Sequence, residues 1–247
     1  MKELISRWKD SKVWSFILKY HLLYLAIPFC FWGVKALLYN IVIWINPPTR
    51  VLHFSIDDSI PFIKYFFVFY CTYYFLPQFA LWGLSFYDKK KYWTILGALG
   101  INMLVGFIFY LSFNVTMIRQ PGYPNGVKLT DVKDVSSFFD FCINWIYSID
   151  PKAMNCFPSL HAVVGMLLAI IGIYIPKIDD KQPPLALRII CIIFGIGCVL
   201  STIFIKQHYF IDMIVGVILA IISYITAYLI IWKVRKTKSC NEDIEVV

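Results

Sequence analysis

Long apolar runs, separated by short polar segments, occupy most of this chain. Six of the runs are long enough to cross the hydrocarbon core of a bilayer, which takes about 20 helical residues. They cover residues 21–46, 61–86, 93–113, 158–176, 185–205 and 209–232. The runs lack the alternating pattern of a transmembrane strand, and inside lipid a helix is then the way to satisfy the backbone hydrogen bonds. The pattern predicts an all-α, polytopic membrane protein, a six-transmembrane-helix bundle with a loop region on its outer face.

The composition agrees with a membrane protein. Apolar residues make up 60% of the chain and charged residues only 15%, against about 25% charged residues in soluble domains. We treat residues 1–247 as a single membrane domain, in which residues 1–20 form a cytoplasmic or interfacial basic segment and residues 233–247 a cytoplasmic tail. Among the seven cysteines, Cys142 and Cys156 share one long polar segment and could pair if that segment faces an oxidising compartment.

The net charge of +8 does not indicate nucleic-acid binding, because the basic residues are sorted by loop and do not form one basic face. When the loops are assigned alternately to the two sides of the membrane, fifteen basic residues lie on one side, namely Lys2, Arg7, Lys9, Lys12, Lys19, Lys89, Lys90, Lys91, Lys177, Lys181, Arg188, Lys233, Arg235, Lys236 and Lys238. Seven lie on the other side, namely Arg50, Lys64, Arg119, Lys128, Lys133, Lys152 and Lys206. The positive-inside rule predicts cytoplasmic N- and C-termini in a multi-pass protein, which we expect in the plasma membrane.

Polar and ionisable residues collect at the outer ends of the last three runs. The segment Pro158-Ser159-Leu160-His161 starts the fourth run, and a second cluster surrounds the loop between the fifth and sixth. The segment 114–157, which contains Arg119-Gln120-Pro121, opens on the same side. The candidate site residues at this rim are Arg119, Ser159, His161, Ser201, Thr202, Lys206, His208 and Asp212.

The spacing of His208 and Asp212 favours a nucleophile with an orienting carboxylate. Residues four apart share a helix face, so the carboxylate could accept a hydrogen bond from Nδ1–H of His208 and leave Nε2 free to attack. An Asp inside a membrane span is costly, which favours a paired role. The alternative, which stays open, is a histidine at a helix end beside an Asp that caps nearby backbone groups.

The start of the fourth run is suited to anion binding. The free N–H groups of a first helical turn attract anions, and Ser159 adds a hydroxyl donor there. His161 follows in the same turn and could protonate a leaving oxygen. Arg119 and Lys206 supply cations for phosphate oxygens. Each feature alone also fits an ordinary helix start or a loop charge, but together they describe a site that binds a phosphate dianion and attacks its phosphorus.

These residues resemble the type 2 phosphatidic acid phosphatase superfamily of integral-membrane enzymes. Its pattern has an Arg-Pro element preceded by Lys, then Pro-Ser-Gly-His, then Ser-Arg followed by His-x-x-x-Asp, and the resemblance covers residues 114–216, the motif-bearing catalytic region. It implies a phosphohistidine mechanism without metal or cofactor. His208 would attack phosphorus, Asp212 would orient it and His161 would protonate the departing oxygen. The phosphate would be held by Arg119, Ser159, Lys206, Ser201 and Thr202.

The chain departs from this pattern in three places. Ser112 stands where the family has its Lys, Leu160 replaces the motif Gly, and Thr202 replaces the second Arg, so that Lys206 would have to substitute for that cation. The segments FPSLH and HYFID resemble those of the branch that includes inositol phosphorylceramide and sphingomyelin synthases. These enzymes transfer a phospho-headgroup to another lipid.

Three functions therefore compete. We favour a lipid phosphate phosphatase whose partners are a membrane lipid phosphate and the bilayer, with phosphatidic acid, phosphatidylglycerophosphate, isoprenoid diphosphates and sphingolipids all eligible as substrates. A lipid phosphotransferase differs from it in the acceptor that reaches the phosphohistidine. A transporter or channel with a His/Asp proton relay is the third, and Lys35 in the first run is the residue that would mark its pathway. A snorkelling side chain explains Lys35 more simply. No oligomeric state is predicted.

Overall fold

The computed structural model describes residues 12–47, 49–117, 137–149, 153–173 and 183–245. Within these ranges the chain forms α-helices and one 3₁₀ turn, Lys64–Phe66, and no β-strand. The helices are α1 (Lys12–Lys19), α2 (Leu22–Ile45), α3 (Ser55–Ser59), α4 (Phe67–Thr72), α5 (Leu76–Ser85), α6 (Lys89–Ser112), α7 (Phe138–Ile149), α8 (Leu160–Gly172), α9 (Leu185–Phe204) and α10 (Phe210–Glu245). The predicted all-α architecture is confirmed.

Four helices are long and apolar enough to cross a membrane: α2, α6, α9 and the Phe210–Ile231 part of α10. Helices α7 and α8 are apolar but shorter. The second predicted run, 61–86, is divided into the 3₁₀ turn, α4 and α5. The membrane class of the fold therefore agrees with the apolar runs, while the count of six spans stays a prediction.

Pro77 explains why the second run does not form one helix. Proline has no N–H, and its ring clashes with the carbonyl four residues earlier, here that of Tyr73. The chain passes through three short-range turns, in which the N–H groups of Tyr73, Tyr74 and Phe75 bond the carbonyls three residues before them. Helix α5 then begins at Leu76. On the N-terminal side of this break, Tyr70 and Tyr73 lie buried in the interior of the bundle.

The tightest packing in the bundle is between α8 and α9. A Cβ atom on Gly195 would lie 2.5 Å from the backbone nitrogen of Ala169 and 2.6 Å from the carbonyl oxygen of Gly165. Both helices thus need glycine to bring their backbones together. Helix α10 packs against α6 and α8, and one buried cluster joins these helices through Leu81, Leu84, Tyr92, Ile95, Ala98, Val163, Leu167, Leu168 and Ala220.

We expect Gly195→Ala to destabilise the protein by about 1–3 kcal/mol, because backbone atoms of α8 cannot move aside without separating the helices. The matched control is Gly33→Ala in α2, since a Cβ at Gly33 meets nothing within 4 Å. Thermal unfolding in detergent should show a lower midpoint for Gly195→Ala alone. Equal midpoints for the two variants would contradict the close approach of α8 and α9.

Several elements meet at one end of the bundle, which we call the site end. It contains the ends of α2, α6 and α9 and the starts of α8 and α10. The side chain of Asn46 donates to the Tyr110 carbonyl at 3.1 Å, and the Tyr110 hydroxyl donates to the Pro158 carbonyl at 2.9 Å. The Ser159 N–H donates to the Asp212 carbonyl at 3.1 Å. These bonds hold the starts of α8 and α10 beside each other.

Helix α7 lies at the site end with apolar residues on both faces. Its outer face exposes Phe138, Phe141, Trp145 and Ile149, and its inner face buries Cys142, Ile143, Ile146 and Tyr147. Lys64 anchors one end of the helix through Asp140 (Nζ to Oδ1, 2.8 Å), and the Tyr147 hydroxyl donates to the Ile205 carbonyl at 2.7 Å. Cys142 and Cys156 are both free thiols, so the pairing that the sequence allows does not form.

Candidate active site

The two histidines at the starts of the fourth and sixth predicted runs lie side by side. His161 is in the first turn of α8, and His208 is in the short loop before α10. Nε2 of His208 is 3.3 Å from Nδ1 of His161, and the ring centroids are 5.5 Å apart. Residues 47 positions apart in the sequence thus form one imidazole pair at the site end.

The hydrogen bonds of this pair assign its protons. Nδ1 of His208 is 3.0 Å from the Cys156 carbonyl oxygen, and a carbonyl oxygen only accepts, so this nitrogen carries a proton. In a neutral His208 ring, Nε2 is then the acceptor, and Nδ1 of His161 is the donor in the 3.3 Å contact. The result is a nitrogen lone pair on His208 that faces an N–H of His161.

Asp212 occupies a different position from the one that the i, i+4 spacing suggested. Its Oδ2 lies 3.7 Å from Nδ1 of His208, and the hydrogen bond expected from that nitrogen is made to the Cys156 carbonyl instead. The same oxygen accepts a hydrogen bond from the Tyr209 N–H at 2.9 Å, as an acidic residue in the first turn does for the residue that caps a helix. The fully buried carboxylate therefore combines helix capping with an ionic contact to His208.

Ser159 caps α8 and is held tightly by α10. Its hydroxyl oxygen accepts a hydrogen bond from the Ala162 N–H at 3.2 Å, which is the usual role of an N-cap serine. A Cβ on Gly216 would come within 2.5 Å of the Ser159 carbonyl oxygen, so only glycine permits this approach. Leu160, which replaces the family glycine, fits because its side chain packs against Gly106 of α6.

Ser201 and Thr202 form the end of α9 and position His208. Their hydroxyls donate to the carbonyls of Cys198 at 2.6 Å and Val199 at 2.7 Å. The Thr202 carbonyl accepts hydrogen bonds from the N–H groups of Gln207 at 2.9 Å and His208 at 3.0 Å. Both hydroxyls are thus bonded within their own helix, and their predicted role in phosphate binding stays a prediction.

The Lys206 ammonium binds the neighbouring loop. It donates to the carbonyls of Asp57 at 3.0 Å and Ile60 at 2.6 Å. Burial lowers the pKa of Lys206, while the carboxylates of Asp57 and Asp58 oppose this shift. These two hydrogen bonds of Lys206 join α3 to the loop that carries His208. The predicted contact of Lys206 with phosphate stays a prediction. The other predicted cation, Arg119, lies outside the described residues.

Asp57 is a buried carboxylate that the sequence analysis missed. Its Oδ1 accepts from the Phe210 N–H at 2.7 Å and its Oδ2 from the Phe54 N–H at 2.9 Å. One side chain thereby caps α3 and the start of α10. Its sequence context, SIDDS, resembles any short polar helix start, so nothing in the sequence distinguished it.

Two tyrosines of the divided second run enclose His161. The Tyr70 ring stacks on the imidazole with centroids 4.5 Å apart, and the Tyr73 ring lies at 4.1 Å. These two residues were not among the candidate site residues predicted from the sequence. Pro77 was the signal in the sequence that could have indicated their position. A proline there ends the preceding helix near Tyr73, and the side chains before the break then point in other directions than they would in one continuous helix.

A cavity of about 340 Å³ opens beside His161, within the range of about 300–1,000 Å³ that small-molecule sites occupy. We call it the site cavity. A smaller cavity of about 40 Å³ is lined by both histidines and shares Lys35, Tyr70 and Gln207 with the site cavity. Aromatic and aliphatic side chains from α2, α4 and α7 dominate the wall of the site cavity, which includes Trp32, Lys35, Tyr39, Tyr70, Tyr73, Trp145, Ile146, Ile149, Met154, His161 and Gln207.

One group of side chains could in principle ligate a metal. Cys156, His208 and Asp212 have candidate ligand atoms within 4.8 Å of one another. The ligand nitrogen Nδ1 of His208 already donates to the Cys156 carbonyl, and Oδ2 of Asp212 accepts from a backbone N–H. A metal would have to displace both bonds, so these residues are better suited to holding a histidine tautomer than to holding an ion.

The fold and the site define a helical membrane protein with a pair of imidazoles next to an aromatic cavity. Residues 126–236 match the family model of the PAP2 superfamily. The match is consistent with the type 2 phosphatidic acid phosphatase superfamily and includes all the predicted site residues except Arg119. This part of the chain is thus similar to the PAP2 superfamily, which supports a phosphatase or phosphotransferase that acts on lipid phosphates. No curated protein and no solved structure matches the chain.

Proposed function

We propose that the protein is a lipid phosphate phosphatase that works through a phosphohistidine and needs no metal ion. The observation that carries this proposal is the 3.3 Å contact between Nε2 of His208 and Nδ1 of His161. This contact brings the lone pair of His208, a nucleophile, opposite the N–H of His161, a proton donor. A phosphoryl group bound at this position would have the nucleophile on one side and the proton donor on the other. The adjacent site cavity provides room for the rest of a lipid headgroup.

In the first step, the two rings move apart, a phosphomonoester takes the place of their direct contact, and Nε2 of His208 attacks phosphorus in line with the lipid oxygen. His161 acts as an imidazolium beside the phosphate dianion. As the P–O bond breaks, its Nδ1 proton passes to the lipid oxygen, so the lipid leaves as a neutral alcohol and His161 is left as a neutral imidazole. The Cys156 carbonyl holds the opposite nitrogen of His208 in its protonated form. Positive charge that develops on the ring is stabilised by the Asp212 carboxylate 3.7 Å away.

In the second step, water attacks the phosphohistidine. His161, now without its Nδ1 proton, accepts a proton from the water, and the P–N bond breaks to release inorganic phosphate and restore neutral His208. The N–H groups at the start of α8 and the side chains of Ser159 and Arg119 are proposed to hold the phosphate oxygens. The smaller number of basic residues in the loops at the site end favours the extracytoplasmic face for this chemistry.

Purified protein in detergent micelles tests the proposal. A panel of phosphatidic acid, phosphatidylglycerophosphate, an isoprenoid diphosphate and a sphingoid phosphate is assayed for both free phosphate and lipid products. We expect phosphate release from at least one substrate, inhibition by vanadate and full activity in EDTA. Loss of activity in EDTA that added Zn²⁺ or Mg²⁺ restores would contradict a metal-independent mechanism.

The same assay separates hydrolysis from headgroup transfer. The motif segments FPSLH and HYFID favour a lipid phosphotransferase as the second candidate function. When ceramide and diacylglycerol compete with water, a phosphatase yields free phosphate, whereas a transferase yields a new phospholipid or sphingolipid. An ion or proton flux in proteoliposomes without any phosphate product would instead favour a transporter.

A further inference from the structure

Lys35 lies in the middle of the apolar helix α2, yet its ammonium group does not extend to the end of that helix. Nζ is 4.5 Å from the centroid of the Tyr73 ring and 5.7 Å from that of Trp32. In the part of the chain that the structure describes, Lys35 has no carboxylate partner. The ammonium group of Lys35 is therefore held by aromatic rings, with no carboxylate beside it among the described residues.

An unpaired charge within a membrane span is costly, so such residues commonly serve function. Contact with two aromatic faces offsets part of this cost. Snorkelling would place the ammonium at the headgroup layer with the alkyl chain along the helix surface. The ammonium instead lies over Tyr73, whose ring also packs at 4.1 Å from His161. The side chain is thus directed to the interior, towards the histidine pair.

Lys35 lines the site cavity and also the smaller cavity that it shares with His161 and His208. It further lines an apolar cavity of about 50 Å³ between α2, α5, α6 and α8. Among the described residues that line these cavities, Lys35 is the only Lys or Arg. It therefore lies on the wall that the site cavity and the apolar cavity share.

Apart from Arg119, which lies outside the described residues, the cations that the family pattern supplies are replaced or engaged elsewhere in this chain. Ser112, at the position of the family Lys, donates its hydroxyl to the Ile108 carbonyl of its own helix. Thr202, at the position of the second Arg, is buried and bonded within α9. The ammonium of Lys206 binds the carbonyls of Asp57 and Ile60. Among the described residues, the positions of the family pattern therefore leave room for a cation from another element beside the histidines.

We propose that Lys35 supplies that cation and contacts the phosphate of the substrate. The inference rests on the proposed function and deepens it by naming a residue of the same site that binds the phosphate of the substrate. The Lys35 ammonium then moves from the ring of Tyr73 to the phosphate oxygens, which lie between it and the histidine pair. A charge-assisted hydrogen bond replaces the cation–π contact.

The test compares Lys35→Met and Lys35→Arg with a matched control, Lys90→Met. Lys90 is also an ammonium over a tyrosine ring, 5.0 Å from the centroid of Tyr228, but it lies at the other end of the bundle. We expect Lys35→Met to lower kcat/KM for lipid phosphate by about 10- to 100-fold, the effect of losing one hydrogen bond between charged groups. Lys35→Arg should recover most of this loss, and Lys90→Met should behave as wild type.

A binding measurement separates phosphate contact from a structural role. Vanadate stabilises a protein that binds it by RT ln(1 + c/Kd), where c is the vanadate concentration, so the unfolding temperature rises with the ratio of c to Kd. Lys35→Met should need about 10-fold more vanadate for the same shift, while Lys90→Met needs the wild-type concentration. If Lys35→Met fails to fold, Lys35→Gln is measured in the same way.

The outcomes distinguish the two proposals. If the wild-type protein neither releases phosphate nor responds to vanadate, the proposed function fails. If the wild-type protein does both and Lys35→Met matches Lys90→Met in kcat/KM and in vanadate response, the proposed function stands and the role of Lys35 is wrong. An equal loss in Lys35→Arg and Lys35→Met would also overturn it, because a phosphate contact depends on the positive charge.

Discussion

His208→Ala is expected to reduce phosphate release from lipid phosphate by about 10⁴-fold or more, the loss that follows removal of a covalent nucleophile. The reason is that the nitrogen that attacks phosphorus is absent, and the described residues in contact with His161 provide no other imidazole. A continuous assay of free phosphate with protein of verified monodispersity measures this effect.

The control for that variant is His21→Ala, which removes a histidine at the opposite end of the bundle, where Nδ1 lies 2.9 Å from the Ser85 hydroxyl. Its activity should remain within a small factor of wild type. If His208→Ala kept wild-type turnover while His21→Ala behaved normally, His208 could not be the nucleophile.

His161→Ala should slow the hydrolysis of lipid phosphates by about 10²- to 10⁴-fold, the usual contribution of a general acid. The effect should depend on the leaving group. An aliphatic lipid alcohol is strongly basic and needs a proton as it departs, whereas the phenolate of an aryl phosphate such as p-nitrophenyl phosphate leaves without one. Comparison of kcat for the two substrates in wild type and variant measures the proton transfer.

Tyr70→Phe provides the comparison for this variant, because it keeps the ring that stacks on His161 and removes only the hydroxyl. It should not change the ratio of the two rates. If His161→Ala slowed lipid and aryl substrates by the same factor, the imidazole would serve binding or packing and not proton donation.

The long helices could be predicted because lipid leaves few conformations for an apolar run of sufficient length. Helices α2, α6, α9 and α10 accordingly coincide with predicted runs. The second run was predicted as one helix, since its hydropathy is continuous. The helix is interrupted because of a single residue, Pro77, and the effect of proline on the backbone does not appear in a hydropathy pattern.

The site could be predicted only as far as local spacing reaches. The positions of His161 and His208 at helix starts are local, and the structure places their rings in contact. The partner of Nδ1 in His208 is the Cys156 carbonyl, a backbone group 52 positions away, and no side-chain pattern reveals it. Lys35 likewise reaches the cavity through the packing of α2, so its sequence context suggested a snorkelling side chain.

The most direct measurement of the central claim is a rapid-quench experiment with a ³²P-labelled lipid phosphate. The account predicts a transient label on the protein that survives alkali, is lost in acid and maps to the peptide with His208. The label should be absent in His208→Ala. Turnover of the lipid phosphate without a labelled protein, or with a label on any other residue, would contradict the account.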